Sequence, residues 1–249
     1  MFLFTTRAKA KKLQSQGFET IDVSSRGIEP YVFLSPFYPH GKIPVIGMRN
    51  TFSDSVEGIW QGLKIIDGNI DPSRFKGRGK KRPGKISGHL YYDEVIGYKE
   101  ARHLIYKPTY ISMLLNCPKA NKLVKELSLR MLEDPEKVIY MYDFDTNSDI
   151  NNTSKPLAHA SLLVEFLNEN IQELIYFQND PEEAKTIYLE EFMESKGMKL
   201  PDTDFSKLST LEKQFLRMKA EGFTSEVYYS FPLAKQIIQD WFIQGLYLD

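Results

Sequence analysis

The chain has 249 residues, 42% hydrophobic and 26% charged, with a formal net charge of −1. That balance supplies a core for one large domain, or for a core with an appendage, and excludes an overall pull toward nucleic acid or an anionic membrane. A single cysteine, Cys117, excludes an internal disulfide framework and points to a reducing compartment.

The chain opens on an apolar run, Met1–Phe4, too short for a signal peptide and suited to a strand. Thr5 or Thr6 caps a basic helix that stops at Gly17. Phe18–Val23 and Tyr31–Leu34 read as strands, and Ser35–Gly41, with two prolines and a glycine, as a rigid loop. Ile43–Met48 is another short strand. Thr51, Ser53, Asp54 or Ser55 caps a helix running to Asp67-Gly68, and a loop follows to about residue 86. A helix from Tyr98 should break at Pro108 and resume over Thr109–Leu115. Pro118 opens the next helix, with Leu123, Leu127 and Met131 in one stripe. Val138–Tyr142 reads as a buried strand. The loop Asp143–Pro156 then leads to a helix carrying Leu162, Leu163, Phe166 and Leu167. Further helices are expected from Asp180-Pro181 to Gly197, from the capping box Ser209-Thr210-Leu211-Glu212 to Gly222, and from Ser230 through Phe242. The expected organisation is a core over 1–175 and a helical extension over 176–249, of α+β class. No stretch approaches a membrane span, and the protein is expected to be cytoplasmic.

Ser55-Val56-Glu57-Gly58-Ile59-Trp60-Gln61-Gly62-Leu63-Lys64 is the most informative segment. In a helix, Glu57, Gln61 and Lys64 stand at i, i+4 and i+7 on one face, with Trp60 beside them. Val56, Ile59, Leu63 and Ile66 form the opposing apolar set. Gly58 and Gly62 leave room for something to approach the backbone. Periodicity leaves open whether the polar stripe faces water or a cleft.

Other segments carry weaker signals. Lys76–Lys85 holds six basic residues and three glycines in ten positions, which suits an anion such as a phosphate or equally a solvated loop. Asp143-Phe-Asp-Thr-Asn-Ser-Asp149 opens like a calcium loop. Ser148 replaces its turn glycine and Ser154 its bidentate glutamate, which argues against calcium. These aspartates suit a turn, or a ribose hydroxyl or water held at a strand end. The four histidines lack zinc spacing, and His159 reads as a near-core histidine. Cys117, among apolar residues, reads as a buried structural thiol.

Leu34-Ser-Pro-Phe-Tyr-Pro39 followed by Ser55-x-Glu57-x-x-x-Gln61-x-x-Lys64 resembles the opening of the NADAR superfamily, the YbiA-like N-glycosidases, over residues 30 to 66. Gly58 stands where that family often has His, and Gly62 where it has Ala. The resemblance implies a mostly helical core with a small sheet, no cofactor, and hydrolysis of a ribose C1′–N bond in an ADP-ribosyl or phosphoribosyl substrate, including ADP-ribosylated DNA or RNA. It implies Glu57 and Lys64 as catalytic residues, with Lys64 either attacking C1′ or holding a phosphate. With the basic loop and the aspartates read above, the expected substrate-binding set is Ser35, Phe37, Tyr38, Ser55, Trp60, Gln61, Arg78, Lys80, Arg82, Asp143, Asp145, Asp149 and His159. Two rival readings are a binding module that kept the pocket without turnover, and a nucleic-acid-binding protein centred on the basic loop.

Overall fold

The computed structural model describes the backbone of residues 1–178 and the side chains of residues 1–169. The extension expected over 176–249 therefore lies almost entirely outside the described residues, and α6, defined below, runs past its expected start. The described part is an α+β fold.

β1 (Phe2–Phe4) leads into α1 (Arg7–Ser15), which Thr6 caps by accepting the Lys9 N–H, and Gly17 ends the segment at a φ of +88°. β2 (Glu19–Asp22) follows. Tyr31–Leu34 is a 3-10 turn and not a strand: the Phe33 N–H reaches Pro30 and the Ser35 N–H reaches Val32. A four-residue apolar run with Val32 and Leu34 buried satisfies either geometry, and among the described residues no neighbouring strand pairs with it. β3 (Ile43–Pro44) is shorter than expected and pairs with β4 (Phe52–Ser53).

The motif helix, α2 (Val56–Gly62), ends well before Asp67. Lys64–Ile66 is instead strand β5, paired antiparallel with β6 (Ile86–Tyr91), which pairs with β7 (Glu94–Ile96). The β-branched Ile65 and Ile66 suit a strand, and the hairpin partner that captures them lies 20 residues on. Asp67 and Gly68, both with positive φ, only turn the chain afterwards.

α3 (Tyr98–Ala101) passes through a π-turn, Arg102–Tyr106, into α4 (Lys107–Asn116). The expected break at Pro108 does not occur. The wider turn, with the Lys107 N–H on the Arg102 carbonyl, places the proline in the first turn of α4, where its missing N–H costs little. α5 (Pro118–Glu133) buries Leu123, Leu127 and Met131 as its pattern dictates. β8 (Ile139–Tyr142) lies between β1 and β2, parallel to both, and α6 (His159–Gln178) follows. Cys117 is buried, which pushes its thiol up to about 12. Among the described residues, no helix is long and apolar enough to cross a membrane.

Candidate active site

The first turn of α2 is pinned from three sides. Ser55 caps it, its Oγ accepting the Gly58 N–H at 3.1 Å and donating to the Gly77 carbonyl at 2.8 Å. Asp54 accepts the Gly77 N–H at 2.7 Å, and the Glu57 N–H donates to the Pro36 carbonyl at 2.9 Å. The rigid 35–38 loop and the basic loop thus both close on this helix. Its glycines serve that closure. A Cβ on Gly58 would lie 2.5 Å from Ser53 Oγ and 2.8 Å from the Arg74 carbonyl, and one on Gly62 would strike the Phe75 ring. What approaches the backbone is the chain itself.

Glu57, Gln61 and Lys64 are buried, at 8%, 4% and 4% exposure, so the polar stripe does not face water. Gln61 bridges the other two. Its Nε2 donates to Glu57 Oε1 at 2.5 Å, and its Oε1 accepts from Lys64 Nζ at 2.8 Å. The Arg82 N–H also donates to that Oε1, at 3.3 Å. Lys64 reaches this line from the start of β5, not from a third helical turn. Burial raises the Glu57 carboxyl to about 7, opposed by Gln61 and Lys64. Burial lowers Lys64 to about 8, opposed by Glu57 and aided by the positive charges of Lys81 and Arg82.

Trp60 packs beside this line, with Lys64 Nζ 5.6 Å from its ring centroid. Its other neighbours are Tyr98, Tyr106 and, at 4.1 Å between centroids, His89. His89 is the cross-strand partner of Lys64 in β5–β6, so the two side chains share one face. It is fully buried, and among the described residues neither ring nitrogen has a hydrogen-bond partner. Burial, with Lys64 adding to it, holds the imidazole down to about 3 and therefore neutral. Sequence reasoning missed His89. Its only local signal was membership of a strand whose partner could not be read.

An orphaned imidazole is a stability cost retained at the site. His89→Met, which fills the slot with a flexible chain and removes both polar atoms, is expected to raise stability by about 1–2 kcal/mol in urea denaturation. A loss of stability would show that His89 makes polar contacts worth more than that cost.

On the far side, Asp143 and His159 form a buried pair, with Nδ1 2.8 Å from Oδ2. His159 Nε2 lies 2.8 Å from the Val23 carbonyl and must donate to it. The Asp143 carboxylate beside it raises the imidazole above its ordinary value despite burial, and burial of the carboxyl is in turn outweighed by His159 and two backbone N–H groups. The pair is therefore a carboxylate and an imidazolium donating at both nitrogens. Asp143 also accepts from the backbone of Asp145 and Ala160, so it and His159 position the loop instead of offering free groups to a ligand. Asp145 is half-buried. Its charge, and that of His159, are near enough to act on Glu57. Asp149 is exposed and its Oδ1 accepts the Asn151 N–H.

Ser35 is fully buried and its Oγ accepts the Phe37 N–H at 3.3 Å, while Phe37 is half-buried. Tyr38 faces another cluster. Its hydroxyl accepts from Lys119 Nζ at 2.9 Å and its ring lies against Phe33 and His40. Arg82 is drawn in, donating to the carbonyls of Lys64 and Asn69. Arg78 and Lys80 are exposed. Gly79, at a φ of +70°, lies so close to α2 that a Cβ there would be 2.6 Å from the Gly58 nitrogen and 2.7 Å from the Glu57 carbonyl carbon. Among the described residues, no group of three His, Cys, Asp or Glu side chains is placed to hold a metal ion.

A family model described as "Family of unknown function (DUF6939)" matches residues 5–163, a span that contains every residue placed at the site. No curated protein and no solved structure matches the chain.

Proposed function

The chain belongs to the family of unknown function DUF6939, and we propose that it is a cytoplasmic N-glycosidase, a NADAR-like enzyme hydrolysing a ribose C1′–N bond in an ADP-ribosyl or phosphoribosyl substrate, such as ADP-ribosylated guanine in nucleic acid. The observation that carries this reading is the buried Glu57–Gln61–Lys64 line, in which an acid and an amine are both pushed toward neutral pH. The resemblance of residues 30 to 66 to NADAR proteins supports it and supplies the substrate class.

Lys64 has the surroundings of an activated amine. It sits against Trp60 and His89, with Gln61 between it and Glu57 and with two cations nearby. At about 8, roughly a tenth of it is neutral at pH 7, against about three in ten thousand at an ordinary lysine value. The neutral amine attacks C1′. The C1′–N bond breaks with its electron pair leaving on the base nitrogen, and the proton that Lys64 loses in becoming a glycosylamine passes to that nitrogen. Ring opening gives an imine. Glu57, as carboxylate, stabilises positive charge at C1′ and then removes a proton from the water that adds there. The C1′–Nζ bond of the carbinolamine then breaks as its hydroxyl proton passes to Nζ, which returns the amine and leaves an aldehyde that the 4′-hydroxyl closes to a ring sugar with a C1′ hydroxyl.

Both groups act deprotonated, so the rate is expected to rise through about pH 7 and again through about 8, then level off. The test is incubation with ADP-ribosylated guanine DNA and with phosphoribosyl intermediates of riboflavin synthesis, across that pH range, with sodium borohydride added to reduce the imine to a stable adduct on Lys64. A rate that falls above pH 8, with no adduct by mass spectrometry, would return Lys64 to the role of a phosphate-holding cation. No sugar release from any of these substrates would reject the glycosidase.

A further inference from the structure

We propose that Arg7, Arg26 and Arg78 form a phosphate-binding rim at the carboxyl end of the parallel sheet, beside the Glu57–Lys64 line. The three arginines come from separate segments: the start of α1, the loop after β2, and the basic loop. Arg7 and Arg26 meet around Phe144, which follows β8 and is 42% exposed, and Arg78 reaches the backbone beside Arg26. The guanidinium carbons of Arg7 and Arg26 each lie 5.1 Å from the centroid of its ring. Arg78 donates to the Ser25 carbonyl at 3.3 Å, next to Arg26.

All three arginines are exposed, and among the described residues none makes an ion pair with a carboxylate. Arg74 and Arg130, by contrast, are held by Asp71 and Glu19. The first turn of α1 carries no acidic residue of its own. Ligands of parallel sheets bind outside the carboxyl ends of the strands, where β1, β2 and β8 all end. Resting two guanidinium planes on one aromatic ring pre-organises them and reduces the entropy lost when an anion is clamped. Both carbons lie 5.1 Å from the same point, so they are at most about 10 Å apart. That span suits a diphosphate, or successive phosphates of a strand, better than a single carboxylate.

The rim adjoins the candidate active site at two places. Gly79, beside Arg78, packs on the backbone of Glu57 and Gly58, and Asp145, beside Phe144, acts electrostatically on Glu57. The inference rests on the glycosidase reading only for what carries the phosphates.

The test measures binding of two probes, free ADP-ribose and a short single-stranded DNA, to the full chain and to Arg7→Gln/Arg26→Gln, with thermal unfolding as the control for folding. The double variant is expected to keep its unfolding midpoint and to bind at least one probe about tenfold more weakly. Loss confined to ADP-ribose assigns the rim to a nucleotide diphosphate. Loss on the DNA, with the salt slope falling by about 1.4, assigns it to a strand backbone. Equal affinity of both proteins for both probes, or no binding by the unaltered chain, overturns the rim. ADP-ribose is a product and needs no turnover, so a rim that binds in a protein releasing no sugar would retire the glycosidase reading alone.

Discussion

Glu57→Gln is expected to abolish sugar release and to make the protein more stable above pH 7. The substitution keeps the size of the side chain and the oxygen that accepts from Gln61, so the line from residue 57 to Lys64 stays hydrogen-bonded. What disappears is the carboxylate, whose removal should lower kcat about a thousandfold. The stability gain follows from linkage. Burial raises the folded-state carboxyl to about 7, so the folded protein binds a proton that the unfolded chain has already lost, and stability falls as pH climbs from about 4.5 through 7. A neutral amide escapes that loss. The rise from 4.5 to about 7, net of the opposing Lys64 charge, makes the gain on the order of 3 kcal/mol at pH 8, and it vanishes near pH 4. Urea denaturation of both proteins at the two pH values reads it directly. Glu57→Gln with unchanged turnover, or with no more stability at pH 8 than at pH 4, would remove the charged carboxylate from the account. Such a trade of stability for function is what a catalytic carboxylate, as opposed to a packing residue, should show.

Arg102→Leu should destabilise the protein by about 2–4 kcal/mol, or on the order of 10 °C in Tm, through the loss of charge-assisted hydrogen bonds. Arg102 is 1% exposed. Its Nη1 donates to the carbonyls of Ile150 and Asn152 at 3.2 and 2.7 Å, and its Nη2 to that of Lys155 at 2.6 Å, while its guanidinium carbon lies 5.1 Å from the Tyr98 ring centroid. One side chain from the π-turn thus organises the loop that follows Asp143, Asp145 and Asn147. Asn147 Nδ2 contributes 2.8 and 3.2 Å bonds to two of the same carbonyls. Leucine keeps much of the volume but removes the guanidinium donor from the Ile150 carbonyl and one of the two donors from the Asn152 and Lys155 carbonyls, which keep only Asn147. Arg102→Lys should recover only part of the loss, because one ammonium on a flexible stem does not reproduce a planar fork spanning three acceptors. A leucine variant within 1 kcal/mol of the unaltered chain would show that the loop holds its shape without this staple. If the loss is as large as expected, sugar release should fall with it, since Asp145 reaches Glu57 electrostatically through that loop.

Local chemistry made much of this molecule legible in advance. Thr6 capping α1, Ser55 capping α2, Pro118 opening α5 and the stripe Leu123, Leu127, Met131 each depend on a few neighbours in the chain, and each appears where its residues demand. The apolar set Val56, Ile59, Leu63 and Ile66 is buried, so the inward face of the motif was readable too. Which way its polar face pointed was not readable. Glu57, Gln61 and Lys64 have the spacing of a wet helix surface, and the 35–38 and 76–82 loops, with His89 of β6, fold against them and take them out of water.

The corrections share a cause. Lys64 and His89 became neighbours through strand pairing across some 25 residues, a contact that no local period encodes. Arg102 gained its three acceptors from a loop about 50 residues on. Tyr31–Leu34 turned helical, with no strand beside it among the described residues, and Pro108 passed without a break because a π-turn absorbed it. The sequence by itself determined the caps, the stripes and the chemical identity of the motif. Tertiary structure alone decided which charges lost their water, because desolvation depends on every segment that packs against a group and not on the residues beside it in the chain.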